Sequence, residues 1–486
     1  MSWLSKQILF LHRMSMIAFV DLVLAGSVLG QTVPASPEHP WHGSGELKMQ
    51  AYAKNVTDSR FAVDQSKTYS LAELIDLAEA HNPATRVAWE RARSQAAALG
   101  ITRSELYPTL AAAAISQTES VQAFFGDRFH GQTIQGFQLA LDLNYTLFDF
   151  GARSARIDAA RARLLSANFA FNDTHRSVIS QVQQAYYRLL SAIGQEDSAQ
   201  ASLANAKAVE QAAQERLTNG LATLPDVLEA RSAKAQAEYD LQSALGAEEI
   251  ARGDLATAVG TSASVAIRVE PLDQLPTPDS ISESVEETIN RAFTQRPDLM
   301  QQAAEIRTAN ARLKEARAAY YPTLDVNVSP AIPSLYGIQQ PFHWSHTTDL
   351  TGSLSFNLKW TVFDGGARKN RAAQAQADIH TAEAQTNLKK NQIADEVWTG
   401  YSNLNTAFRQ RKTAIALLEA ANQSYNAALE SYKYGLRNLL DVTAAQRSLA
   451  QARSADVFAR TQVLTSLADL AFTTGDSIKA QRGTRP

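Results

Sequence analysis

The chain has 486 residues, 45% of them apolar, with 46 basic against 49 acidic side chains and a net charge of −3. No basic block stands out, which argues against nucleic acid as a partner. There is no cysteine, so disulfides, thiolate metal sites, a cysteine nucleophile and a lipid-modified N-terminal Cys are excluded.

Lys6, His12 and Arg13 precede a mostly apolar run from Met14 to Leu29. Small residues follow, with cleavage expected after Ser27 or Gly30, so residues 1–30 read as a secretory signal. The alternative, a membrane helix, needs about 20 apolar residues; this run is shorter and carries Asp21. Residues 31–68, rich in Pro, Ser, Gly and His, read as a loose leader.

A first repeat is expected over 69–260. It opens with a helix from Leu71 to Ala80 and a second from Pro83 to about Leu106, the proline sitting early, where its missing N–H costs least. Strands are expected at about 107–122 and 134–149. In the latter, Phe137, Leu139, Leu141, Leu143, Tyr145 and Leu147 oppose Gln138, Ala140, Asp142, Asn144 and Thr146, with Phe148 the exception. The Ala-rich stretch after Leu110 gives a weak strand pattern. A proline-free helix then runs from about Ala152 to Thr218, roughly 100 Å long. Ile157, Leu164, Phe171, Val178 and Ala185 mark a heptad seam on it. A return helix spans about Leu224 to Ala258, and 261–280 is a linker.

The second repeat, 281–475, has the same order, and 476–486 form a tail. Helices are expected from Ser282 to Thr294 and from Pro297 to about Tyr320. Strands follow at about 321–333 and 349–363, then a long helix from Ala367 to Tyr432 and a return from Leu439 to Thr473. From Leu350 to Val362 the alternation is unbroken: Leu354, Phe356, Leu358 and Trp360 share one face, and Ser353, Ser355, Asn357 and Lys359 the other.

The landmarks repeat at a fixed offset. Leu106-Tyr107-Pro108-Thr109-Leu110 returns at Tyr320-Tyr321-Pro322-Thr323-Leu324, 214 positions on (320 − 106). Phe148-Asp149-Phe150-Gly151-Ala152-Arg153 returns at Phe363 to Arg368, 215 positions on (363 − 148). Asn219-Gly220-Leu221 with Asp226-Val227 returns as Tyr434-Gly435-Leu436 with Asp441-Val442. A whole structural unit is duplicated. A soluble sheet with one wet face also alternates, but a strand of about 13 residues matches a tilted membrane-crossing one. Four strands cannot close a barrel, and open edges in lipid cost several kcal/mol per unpaired group, so chains must pool their strands.

In these junctions and tips the chain resembles the TolC-like outer membrane efflux protein family over about residues 69–475. The resemblance rests on the paired Tyr-Pro-Thr-Leu junctions, the paired Phe-Asp-x-Gly-Ala-Arg junctions and the Gly-Leu-x-x-x-x-Asp-Val hairpin tips. It implies a mainly α fold with membrane β: a homotrimer with a twelve-stranded transmembrane barrel and a periplasmic helical tunnel. It implies partners too: a periplasmic membrane-fusion adaptor, an inner-membrane transporter of RND, MFS or ABC type, and outer membrane lipid. The implied function is a passive export duct for small molecules or proteins, with no cofactor and no enzymatic step. The alternative is a periplasmic coiled-coil adaptor or scaffold without a pore.

Gly220 and Gly435 end the long helices, where glycine takes the left-handed conformation. Asp226 and Asp441 stand at the third position of the return helices, which reads as capping. The resemblance gives them a second role. Tyr432 and Arg437, with Asp226, would latch the periplasmic end, and Asp441 would ring its narrowest point. Ala444 stands where a second acid is expected, and Pro225 where a hydroxyl residue is. Gly220, Leu221, Gly435 and Leu436 are the adaptor-contact candidates. Leu139, Leu141, Leu143, Leu354, Phe356, Leu358 and Trp360 are the expected lipid-facing side chains. Tyr107, Tyr320, Tyr321 and Trp360 read equally as an interfacial aromatic belt or as packing at the junction. Gly475-Asp476-Ser477 reads as a helix stop rather than an esterase string. His343 and His346 are a weak metal candidate, and no catalytic constellation emerges.

Overall fold

A computed structural model describes residues 46–55, 61, 63–125, 127–275, 278, 280–281, 283–339 and 345–476. The expected signal, most of the leader, His343 and the tail beyond Asp476 lie outside the described residues. Helix α1 (Glu46–Asn55) belongs to the unit Met1–Ser59, and all that follows concerns the unit Arg60–Pro486.

The first repeat contains β1 (Thr68–Tyr69), α2 (Leu71–His81), α3 (Pro83–Ser104), β2 (Thr109–Phe125), β3 (Arg128–Phe148), α4 (Ala152–Thr218) and α5 (Leu224–Val259). A short strand, β4 (Arg268–Val269), then pairs in parallel with β1. The second repeat contains α6 (Val285–Gln295), α7 (Pro297–Ala318), β5 (Thr323–Gln339), β6 (Ser345–Thr348), β7 (Thr351–Lys359), α8 (Ala367–Lys433) and α9 (Leu439–Thr474). The helix ends follow from local chemistry. Gly260 and Gly475 have φ +96° and +83°. Thr261 N and Asp476 N reach back to Ala256 O and Ala471 O, closing α5 and α9 in Schellman fashion.

Long helices α4 and α8, 67 residues each, extend about 100 Å. Each packs against its own return helix, and α4 also packs against α9, joining the halves. The seams are rich in alanine, which brings backbones close at no side-chain entropy cost. Where α4 meets α9, a Cβ on Gly194 would lie 2.6 Å from Val457 Cγ1.

The two halves solve one problem with different chemistry. Asn82 caps α3 and donates Nδ2 to Ala258 O at 2.9 Å, near the end of α5. At the matching place, Arg296 donates Nη1 to Thr473 O at 3.1 Å, near the end of α9. Arg296 is buried and holds Asp298 with two bonds, 3.0 and 2.7 Å. Lys389 Nζ on α8 lies 2.8 Å from the same carboxylate. Burial would push the Asp298 carboxyl up, but bonds from Arg296 and Lys389 prevail and hold it well below the carboxylate range. Arg176 of α4 closes the knot by donating to Phe472 O and stacking 4.2 Å from the Phe472 ring.

The other strands form one antiparallel sheet in the order β2-β3-β5, with β6 and β7 both paired along the far side of β5. Strand boundaries correct the sequence reading. The weak Ala-rich stretch is a full strand of 17 residues, paired with β3 from Thr109 to Phe125 without a shift. Pairing continues past the apolar rows because the ladder needs only backbone groups. The expected 349–363 strand is shorter, running only from Thr351 to Lys359, and a separate short strand, β6, precedes it. Trp360 lies past it and donates Nε1 to Tyr320 O at 3.2 Å.

Candidate functional site: a two-faced sheet and two hairpin tips

The register puts Leu110, Leu143, Val328 and Leu354 in one cross-strand row. Ala114, Leu139 and Ile332 form another, Leu141 stands opposite Ala112, and Tyr145, Val326 and Phe356 form a row on the same face. Leu358 stands opposite Leu324. These side chains are exposed or half-buried; Phe356 is 63% exposed. Phe148 broke the alternation in sequence. A β-bulge between Thr146 and Phe148 pairs Phe148 with Leu324 and so returns its ring to the apolar side.

The opposite face is polar. Thr109, Asn144, Asn327 and Ser355 share a row. Thr146 donates to Asp325 at 2.6 Å and Ser329 to Asp142 at 2.5 Å. Among the described residues, β2 pairs only with β3 and β7 only with β5, so both sheet edges stay open.

Below the sheet, each strand-to-helix corner is built the same way. Asp149 accepts from the N–H of Gly151 and of Arg153 and from Arg153 Nε. Asp364 does the same with Gly366 and Arg368. The motif is therefore a hinge-free corner: one carboxylate orders the first helical turn and a guanidinium together. One difference stands out. Phe150 has φ +51°, where the second copy has Gly365 at +64°. Its ring stacks on Tyr321 at 4.8 Å and meets Phe148 edge-on at 4.6 Å. With Trp360 on Tyr320, this gathers Phe148, Phe150, Tyr320, Tyr321 and Trp360 at one end of the sheet; Tyr107 is exposed.

At the far end of the helices lie the tips. Gly220 and Gly435 have φ +72° and +77°. Leu221 N bonds Arg216 O, and Leu436 N bonds Ser431 O, both at 2.8 Å. Leu221 and Leu436 are 65% and 79% exposed, with Leu224, Tyr434 and Leu440 exposed beside them. Asp226 is turned onto its own cap: Thr223 N and Oγ1 each donate to it at 2.8 Å. Those bonds, with the Arg216 charge behind them, hold its carboxyl below the usual range. Asp441 N is capped by Asn438 Oδ1 at 2.9 Å.

The residues expected to form a latch make no hydrogen bond or ion pair with one another among the described residues. Arg437 is exposed, and neither it nor the Asp441 carboxylate has a hydrogen-bond or ion-pair partner among the described residues. Tyr432 is buried, its hydroxyl has no hydrogen-bond partner, and burial pushes that hydroxyl up. What ties tip to tip is Arg216, which the sequence reading missed. Its Nη1 donates to Tyr432 O and its Nη2 to Leu221 O at 3.0 Å. The guanidinium lies 4.8 Å from the Tyr432 ring. The available signal was a basic residue in the last turn before a helix-ending glycine.

Among the described residues no cluster of metal-ligating side chains is present, and no helix is long and apolar enough to cross a membrane. His346 stacks on Tyr336 at 5.2 Å.

The family model described as "Outer membrane efflux protein" matches residues 74–261 and 288–476. Protein CyaE of Bordetella pertussis is 27% identical over 402 residues, 83% of each chain. Outer membrane protein OprJ of Pseudomonas aeruginosa is 25% identical over 444 residues, 90% of each chain. The crystal structure of a membrane protein from Pseudomonas aeruginosa superposes with a TM-score of 0.74 at 24% identity, covering 87% of this chain and 98% of that one.

Proposed function

This chain belongs to the outer membrane efflux protein family, and on that premise we propose that its two hairpin tips gate a passive export duct. The protein is an outer-membrane channel: three copies pool their strands into a twelve-stranded barrel, and the long helices carry the lumen into the periplasm. Such channels work with a periplasmic adaptor and an inner-membrane transporter. The observation that carries the reading is the sheet of β2, β3 and β5 with β6 and β7 along its far side, apolar on one face, polar on the other and open at both edges. A pore-free scaffold leaves those apolar rows unexplained.

Leu139, Leu141, Leu143, Leu354, Phe356 and Leu358 face lipid in this reading, and Trp360 marks its periplasmic border. The duct does no chemistry. The transporter, of RND, MFS or ABC type, supplies the energy and chooses the cargo, because a wide wet lumen selects little. Arg437 and the Asp441 carboxylate are left for the adjoining protomer, and Arg with carboxylate is the strong directional pairing a latch needs; Tyr432 backs the tip from within. Gly220, Leu221, Gly435 and Leu436 present the exposed tip to the adaptor. The double variant Tyr432→Phe/Arg437→Glu is expected to raise single-channel conductance in planar bilayers; unchanged conductance removes the latch. Asp441→Ala is expected to weaken block by trivalent cations, and equal block removes Asp441 from the constriction.

A further inference from the structure

The face that carries the apolar rows does not end with them. From Leu147 to Phe137 the apolar stretch of β3 rises roughly 23 Å for a tilt of about 45°, close to the usual lipid-facing band. Beyond it, toward the β2–β3 turn, the same face changes character. One row holds Ser116, Phe137, Ser334 and Thr348; the next holds Thr118, Gln135, Tyr336 and His346. Ser120 and Thr133 follow, then Gln122 and Gly131, and finally Phe124 and Phe129.

These rows carry no Asp, Glu, Lys or Arg, are hydroxyl- and amide-rich, and are punctuated by rings. Ser120 and Thr133 hydroxyls lie 3.2 Å apart, and those of Ser334 and Thr348 3.1 Å. Tyr336, 48% exposed, is stacked on His346 at 5.2 Å, and Phe124 meets Phe129 at 5.1 Å. Glu119 and Arg128 alternate onto the other face. A surface meant only for bulk water has no reason to keep its charges on one side.

Height decides what covers the belt. From Phe137 to Phe129 the strand advances about 26 Å, or roughly 19 Å of height at the same tilt. A phospholipid headgroup layer is only about 5–8 Å thick. The molecules covering the apolar rows must place their headgroups against the next rows, and only a tall headgroup reaches the last of them. Hydroxyls and amides that give and accept hydrogen bonds, beside open ring faces, suit a sugar, and the rows carry no Lys or Arg to pair with a phosphate. The geometry points to a glycolipid site: this belt, from Ser116 and Phe137 to Phe124 and Phe129, binds the oligosaccharide headgroup of outer-leaflet glycolipid. The site rests on the membrane-barrel reading.

The test uses the full chain in nanodiscs of phosphatidylethanolamine and phosphatidylglycerol, with and without rough-type lipopolysaccharide. Lipopolysaccharide retained per protein is measured after detergent washing. Gln135→Ala/Tyr336→Ala and Phe124→Ser/Phe129→Ser are expected each to lower retention about tenfold, the loss of about 1.4 kcal/mol of binding. Planar-bilayer conductance is expected to stay at the wild-type level, showing that the variants fold. Wild-type retention in both variants overturns the site, as does retention abolished by removing the lipid's phosphates while the sugars remain. Failure of the unaltered chain to insert and conduct in either lipid mixture overturns the barrel reading itself, a separate outcome.

Discussion

Arg216→Ala removes the guanidinium that binds the second hairpin tip to the first. The lost interactions are a charge-assisted bond to the Tyr432 carbonyl, another to Leu221 O, and the contact with the Tyr432 ring. Hydrogen bonds to a charged group contribute about 1.5–3 kcal/mol each when buried. The ring contact adds about 0.5–1 kcal/mol. Arg216 is half-buried, so screening brings the sum to about 2–3 kcal/mol per protomer. A loss of about 2 kcal/mol moves a closed-to-open ratio roughly 30-fold. The assay is single-channel recording in planar bilayers, reading the fraction of time spent in the high-conductance level. Arg216→Lys keeps the charge but cannot span both carbonyls, so it is expected to fall between wild type and Ala. An Ala variant that assembles and shows wild-type conductance and open fraction refutes the argument, because the clasp would then carry no gating energy.

Gly194→Ala is expected to destabilise the helical body by about 1–3 kcal/mol through overpacking against Val457, seen as a lower melting temperature and relieved by Val457→Ala. At the strand-to-helix corner, Phe150→Ala is expected to cost about 1 kcal/mol more than Phe150→Gly, since both lose the ring but only Ala keeps the left-handed strain; equal melting temperatures would show that the corner holds no such strain. Asp226 has a folded pKa below its unfolded value, so its cap is fully stabilising above the unfolded value and is lost as pH falls through the folded one. Open fraction is therefore expected to rise on acidification below about pH 4, and Asp226→Asn to flatten that rise.

The helices were legible because their boundaries are chemical. No proline interrupts either long helix, and glycine with positive φ follows it, so Ala152–Thr218 was readable from sequence and Ala367–Lys433 to within one residue. The strands were legible only where apolar residues alternate. Thr118 to Phe125 carries no such pattern, yet it pairs because backbone groups ignore side-chain polarity. Phe148 looked like an error in the period and is a bulge. At the tips, the Thr223–Asp226 cap was local and readable, whereas at the second tip Asn438 alone caps and the Asp441 carboxylate makes no cap bond. Arg216 reaches a carbonyl 216 positions away, and its counterpart in the second repeat is Ser431, so the duplication that revealed the architecture hid this contact. The Asn82 and Arg296 pair shows the same limit: equal positions, equal task, unlike side chains.

The open edges of β2 and β7 make each newly made subunit incomplete in a way no rearrangement of its own can mend. Closure takes three copies meeting, so the yield of ducts should climb far more steeply than linearly with synthesis. A damaged copy that keeps one sound edge can still join a neighbour and strand it, so a minority of faulty subunits would poison a larger share of assemblies.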